Sequence, residues 1–251
     1  MRQYDHAVGI VIRSVDFSET SKVVTLFTRE FGKLGALAKG GRRAKGSFEG
    51  SLDVLSVCRI GVIRKPSADL DLLTEARLEE RFAGLGRDLQ ALYAGFFAAE
   101  LLDALTQPHD PHPELFDAAV AALRALSAGA APWRVATAHA LRTLEEIGYG
   151  LALDACCGCG MESTESERPA FAANLGGLLC GACRRGQAGW METSPAALLA
   201  LRKLANETLT NMADDVAEWP PDVRRECWRT VVARVQALMG RASRTARLIA
   251  V

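Results

Sequence analysis

The chain has 251 residues, 49% of them hydrophobic, which is enough to bury a core in one or two domains. Thirty Lys and Arg residues balance thirty Asp and Glu residues, so the formal net charge is zero. No stretch approaches the ~20 apolar residues of a membrane helix, and the N-terminus lacks the apolar region of a signal peptide, so we expect a cytoplasmic protein with no membrane partner.

The charge is nevertheless unevenly distributed. Residues 1–65 contain twelve basic and six acidic residues, so this region carries +6 and the remainder −6. Such asymmetry favours binding of a polyanion by the N-terminal end, although ordinary surface variation explains the charge count equally well.

The first part of the chain, residues 1–80, is predicted to be a β domain. Five runs rich in Val, Ile, Leu and Thr are separated by turn residues. These runs cover residues 7–15, 21–29, 32–40, 54–65 and 70–78. Five short strands with no long helical pattern between them predict a small barrel of the OB-fold type.

The connection between the third and fourth runs, AKGGRRAKGSFEG, combines basic residues with glycines. Its basic residues are Lys39, Arg42, Arg43 and Lys45. At the rim of an OB barrel this loop would contact phosphates without reading sequence, and Lys33 on the preceding hairpin would extend the patch. Phe48 is a candidate for stacking on bases. The alternative is a solvated, flexible connection.

Residues 81–251 are predicted to form an all-helical domain, because apolar residues there recur at helical spacing. Glu100 falls on the apolar face of the first helix, where it either reaches solvent or pairs with an arginine of another helix. After the last helix, LMGRASRTARLIA carries Arg241, Arg244 and Arg247. These form either a second surface for DNA or a partner, or a frayed and solvated end.

Two CxxC pairs predict a metal site within the helical domain, at about 154–190. The ligands would be Cys156, Cys159, Cys180 and Cys183. Two such turns supply the four soft ligands of a closed, structural Zn²⁺ site, one ion per chain. The alternatives are buried or redox-active thiols, or the use of Cys157 in place of Cys156.

The sequence does not cluster the groups that catalysis needs. The segment GRRAKGS (41–47) lacks the lysine that follows the second glycine of a phosphate-binding loop, and neither HExxH nor GxSxG occurs. The four histidines are scattered along the chain. We therefore expect a protein that is not an enzyme.

The chain resembles the RecO family of bacterial recombination mediators. The resemblance rests on IVIRSVDFSETSKVVTLFTREFGKLGALAKGGRRAKGSFEGSLD, on the two CxxC pairs and on the ending LMGRASRTARLIA. It implies an α+β multidomain protein, with an N-terminal OB-fold barrel and a helical domain that carries a four-cysteine zinc module.

The resemblance also implies what such a protein does. It implies binding of single- and double-stranded DNA, annealing of complementary strands, partnership with RecR, contact with the single-strand-binding protein and help in loading RecA, in the cytoplasm and at the nucleoid. The competing hypotheses are a zinc-ribbon adaptor that binds proteins without touching DNA, and a metal-dependent nuclease.

Overall fold

The computed structural model describes residues 3–43, 48, 50–64, 70–162, 169–212 and 219–251. Lys45 lies outside these residues. The strands are β1 Gln3–Asp16, β2 Lys22–Thr28, β3 Gly32–Ala38, β4 Val57–Arg64, β5 Asp71–Glu80, β6 Ala152–Cys156, β7 Ala170–Ala172, β8 Gly177–Leu179 and β9 Trp190–Glu192. The α-helices are α1 Leu89–Leu105, α2 Pro113–Ser127, α3 Pro132–Glu146, α4 Pro195–Ala205 and α5 Pro221–Met239.

The first five strands form a closed barrel in the order β1-β2-β3-β5-β4. Neighbouring strands are antiparallel, apart from the parallel pair β3–β5. The long strand β1 pairs with β4 through its first half and with β2 through its second half. A bulge between Val11 and Arg13 interrupts its pairing with β2, and bulges of this kind let a strand bend. The barrel confirms the OB-like fold, and the basic connection lies between β3 and β4 as predicted.

Alternating side chains of the barrel strands belong to two different hydrophobic cores, one inside the barrel and one in the helical region. On β3, Leu34, Ala36 and Ala38 are fully buried within the barrel, in the pattern expected when every second side chain faces inward. On β1, Val11 belongs to the barrel interior, whereas its neighbour Ile10 packs into the core of the helical region. One face of the barrel is therefore covered by helices, which leaves the rest of its outer surface for other contacts.

Three of the polar contacts that join the barrel to the helices are made by Arg29, Lys33 and Glu80. Arg29, after β2, makes two hydrogen bonds of 3.0 Å to the carboxylate of Asp117 on α2. Arg124, also on α2, forms a two-point contact with Glu80 at the end of β5. Lys33 on β3 reaches the C-terminal end of α1. These contacts orient the barrel on α1 and α2.

The helical region is built around a continuous apolar core. Phe97 and Leu101 of α1 and Leu115 of α2 have less than 2% of their surface exposed. Ser194 caps α4 by accepting a hydrogen bond from the backbone N–H of Ala197 at 3.1 Å. Among the helices of the described residues, none is both long enough and apolar enough to cross a membrane.

A small four-stranded sheet, in the order β6-β8-β7-β9, lies between α3 and α4 in the chain. Its strands β7 and β8 form an antiparallel hairpin ahead of the second CxxC pair. Phe171 and Leu178 of this sheet are 0% and 1% exposed and belong to the main helical core. The sheet therefore joins the cysteine cluster directly to the packing of the helical region.

Candidate metal centre and nucleic-acid interface

The two CxxC pairs converge on one point. The sulfur atoms of Cys156, Cys159, Cys180 and Cys183 all lie within 4.8 Å of one another. The sulfurs of Cys159 and Cys180 are 3.8 Å apart. Four thiolates around a tetrahedral ion with metal–sulfur bonds of about 2.3 Å would lie roughly 3.8 Å apart. The spacing fits the donor set of a metal ion.

The environment of Cys156 favours a thiolate. Its Sγ accepts backbone hydrogen bonds from Gly158 at 3.4 Å and Cys180 at 3.3 Å. Burial would raise the pKa of this thiol, but the backbone donors outweigh burial and lower its pKa to about 6. The neighbouring sulfurs of Cys180, Cys159 and Cys156 raise the pKa of Cys183 to about 12. Four sulfurs this close ionise together only around a cation, so the cluster could hold a metal ion.

The other cysteines lie apart from this cluster. Cys157 is exposed, and the group of four sulfurs does not include it. Cys58 in β4 and Cys227 in α5 are fully buried, and burial raises the pKa of each to about 12. They behave as small apolar residues.

Part of the basic connection is exposed and part is held by the barrel. Lys39 and Arg43 are exposed, and none of the described residues forms an ion pair with either. Arg42 instead donates a hydrogen bond to the carbonyl of Ser18 at 2.9 Å and lies 3.3 Å from the carboxylate of Asp16. Arg42 thereby ties the basic connection to the β1–β2 turn, and about 41% of its side chain stays exposed.

Lys33 is placed differently from its sequence neighbours. Only 13% of its side chain is exposed, and its Nζ donates hydrogen bonds to the carbonyls of Asp103 and Thr106. Burial lowers the pKa of Lys33, with the charge of Asp103 acting in the opposite direction. The ammonium satisfies carbonyls at the C-terminal end of α1, where the helix dipole favours a cation. It therefore joins the barrel to the helices and is not part of the exposed basic patch.

One aromatic side chain of the barrel also differs from the prediction. Phe48, the predicted stacking residue, is only 7% exposed and packs inside the barrel. Phe27 is fully buried in the helical core, and Phe31 is partly buried with the Arg64 guanidinium 4.8 Å above its ring. Phe17, in the β1–β2 turn, is 66% exposed.

Comparison with known proteins gives the family. The family model "Recombination protein O N terminal" matches residues 1–82, and "Recombination protein O C terminal" matches residues 86–247. A DNA repair protein RecO from Rhodopirellula baltica is 46% identical over 201 residues, 80% of this chain and 74% of its own length. Another from Anaeromyxobacter dehalogenans is 36% identical over 236 residues, 93% of this chain and 91% of its own length. The chain belongs to the RecO family.

The C-terminal stretch that resembles RecO proteins is folded against α1. Its anchor is Glu100, whose carboxylate is 10% exposed and accepts five hydrogen bonds. The donors are the Arg241 guanidinium, the Ser243 hydroxyl, the backbone N–H of Arg244, and the backbone N–H and hydroxyl of Thr245. Burial would raise the pKa of Glu100, but these donors hold it at about 2.

Of the two alternatives for Glu100, exposure to solvent or pairing with an arginine, the structure shows pairing. The Glu100 carboxylate contacts Arg241 and the backbone that follows it. It also orders the RecO-like ending. Arg241 is engaged by the carboxylate, whereas the side chains of Arg244 and Arg247 are exposed. Ala246 and Ile249, at 2% and 6% exposure, hold the segment on the helical core. The ending therefore presents two arginines on a fixed backbone.

Proposed function

We propose that the protein is a recombination mediator in DNA repair, which binds single- and double-stranded DNA and anneals complementary strands. In this proposal it acts in the cytoplasm, at the nucleoid, with RecR and the single-strand-binding protein to help load RecA. Membership of the RecO family supports the role in repair. The observation that carries DNA binding is the closed OB-like barrel, whose β3–β4 connection exposes Lys39 and Arg43 without an acidic partner among the described residues.

We further propose that the four-sulfur cluster holds one structural Zn²⁺. Four soft thiolate ligands leave no open position for water or substrate, which is the pattern of a structural site. When bound, the ion would offset the charge of the four thiolates and fix the two CxxC turns together. With the two turns fixed, β6 and β8 would stay paired with each other and packed on the helical core.

The proposed annealing needs no nucleotide. Pairing of complementary strands is downhill by roughly 1.4 kcal/mol per base-pair step, so a protein has only to accelerate it. A basic surface does so by screening the repulsion between strands and raising their local concentration. Two surfaces are available: the one at Lys39 and Arg43, and the exposed Arg244 and Arg247 of the C-terminal segment.

Annealing is the direct test. The purified protein should accelerate the pairing of complementary labelled oligonucleotides at low salt without ATP, and high salt should abolish the effect because phosphate contacts are screened. Measurement of duplex formation against time, with and without ATP, checks this. A strict ATP requirement, or a rate no faster than without protein, would contradict the proposal and favour an adaptor that binds only proteins. Cleavage of the labelled strands with Mg²⁺ would favour the nuclease.

The basic connection itself can be tested by removing charge. Lys39→Gln combined with Arg43→Gln should weaken binding to every DNA sequence alike. The dependence of log K on log salt should become shallower by about 1.4 on single strands and about 1.8 on duplex, since two phosphate contacts are lost. Fluorescence anisotropy at several salt concentrations measures both quantities.

A matched pair of substitutions serves as the control. Lys203→Gln with Arg225→Gln removes the same two charges from exposed positions on α4 and α5. If this control changes the salt dependence as much as the Lys39 and Arg43 pair does, the effect is one of net charge and the DNA site does not lie on the barrel connection.

A further inference from the structure

The outer surface of the barrel carries an apolar strip next to the basic connection. Cross-strand pairing places Val15 opposite Val23, and Val23 opposite Leu37, so the three residues share one face of β1, β2 and β3. This face is the outer one. On β3, Leu37 alternates with Leu34, Ala36 and Ala38, and those three side chains fill the barrel interior. Val15 is 46% exposed, and Val23 and Leu37 are partly buried.

Phe17 lies at one end of this strip. It follows directly after β1, and at 66% exposure it is the most exposed large apolar residue of the barrel among those described. An exposed phenylalanine ring next to further apolar side chains offers a surface on which a ligand can pack.

The turn that carries Phe17 is held in place. The backbone N–H of Phe17 donates a hydrogen bond to the carbonyl of Ser21 at 3.0 Å. Arg42 reaches across from the basic connection to the carbonyl of Ser18, and its backbone N–H donates to the carbonyl of Thr20 at 3.0 Å. The ring therefore sits on an ordered turn fastened to the basic connection, and a ligand there costs little ordering of the loop.

Three exposed cations lie on the strands and the connection that border the strip, while the acids Asp16 and Glu19 flank Phe17 in its turn. Arg13 is exposed two residues before Val15, on the same strand. Lys39 directly follows β3, and Arg43 lies four residues further on. None of the described residues forms an ion pair with these three cations, so their charge is available to a ligand.

We propose that Phe17, with Val15, Val23 and Leu37 beside it, is a base-stacking site for single-stranded DNA. The proposal rests on the proposed DNA-binding function and adds a preference for single strands. A single strand offers free base faces next to phosphates, which matches an apolar surface bordered by cations. The bases of a duplex are already stacked on one another, so a duplex can use the cations but gains nothing from the ring.

The test compares two kinds of DNA. Phe17→Ala should weaken binding to a single-stranded oligonucleotide about tenfold, as expected for loss of one base–aromatic stack. Binding to a duplex of the same sequence should change by less than about twofold, since its contacts are to phosphate. Phe17→Trp should keep the single-strand affinity, and its added tryptophan fluorescence should be quenched by the single strand but not by the duplex.

Leu199→Ala is the matched control, since Leu199 on α4 is 68% exposed and its truncation also removes an exposed apolar side chain. It should change neither affinity. The parent protein separates the two proposals: if it binds no DNA, the proposed function fails. If the parent binds but Phe17→Ala leaves single-strand affinity unchanged, or weakens single strands and duplex equally, the stacking site is overturned. Retained DNA affinity with lost binding of RecR or the single-strand-binding protein would likewise overturn it and make the strip a protein-docking surface.

Discussion

Replacing Cys156 by serine should abolish stoichiometric metal binding and lower the melting temperature by at least about 10 °C. Binding of a structural metal ion is coupled to folding, so loss of one ligand costs several kcal/mol, and each kcal/mol corresponds to roughly 2–4 °C in a chain of this size. The loss should spread beyond the cluster, because Phe171 and Leu178 of the same sheet pack in the helical core. Metal analysis and thermal unfolding followed by circular dichroism measure the two effects.

The adjacent cysteine supplies the control. Cys157→Ser changes an exposed thiol outside the cluster and should alter the melting temperature by little, as surface substitutions usually do. Equal losses in the two variants would show that the ligand assignment is wrong. Protein purified without chelator and found free of metal would contradict the metal site itself. If the Cys156 variant fails to fold, the metal site can still be tested in the parent protein by replacing its metal ion with Co²⁺. Tetrahedral thiolate coordination gives Co²⁺ a visible absorption spectrum.

Features that depend on local spacing could be predicted from the sequence. Runs rich in Val, Ile, Leu and Thr between turn residues predict the five barrel strands, and the structure closes them into the expected barrel. The CxxC spacing predicts the four clustered sulfurs and favours Cys156 over Cys157, because a CxxC turn points its first and fourth side chains toward the same ion. Both predictions start from a pattern within a single turn or strand, although the contacts they anticipate join separate segments.

Features that depend on distant partners could not be predicted. The sequence predicts that Lys33 extends the basic patch, because it lies on the hairpin before the third run, but its carbonyl partner on Thr106 is 73 residues away. The Arg241 partner of Glu100 is 141 residues away. Phe48 and Phe17 are both aromatic residues in polar turns, and only closure of the barrel decides which is buried. Charge and hydrophobicity fix what a side chain can do, while the fold decides which partner it meets.

Glu100→Ala should release the C-terminal segment from α1. The substitution removes an acceptor of five hydrogen bonds and leaves the backbone N–H groups of Arg244 and Thr245 without it. Loss of hydrogen bonds to a mostly buried charge should cost about 3 kcal/mol, or roughly 10 °C in melting temperature. Trypsin should cut after Arg241, Arg244 or Arg247 faster than in the parent, because cleavage needs a locally unfolded segment.

Arg241→Ala distinguishes the carboxylate from the ion pair. Its side chain is 44% exposed and supplies one of the five donors, so its loss should cost less than about 1 kcal/mol. If this substitution destabilises as much as Glu100→Ala, the surface ion pair and not the backbone contacts holds the segment.

Acid gives an independent measurement of the same anchor. The pKa of Glu100 is about 2 in the folded protein, below its ordinary value of 4.5, so its contribution to stability is fully present above pH 4.5. That contribution should be lost as the pH falls from about 4.5 toward 2, because the unfolded chain takes up the proton first. Glu100→Gln cannot titrate, so over this range its free energy of unfolding should fall less steeply than that of the parent. Parallel curves for the two proteins would mean that the carboxylate charge does not hold the C-terminal segment on α1.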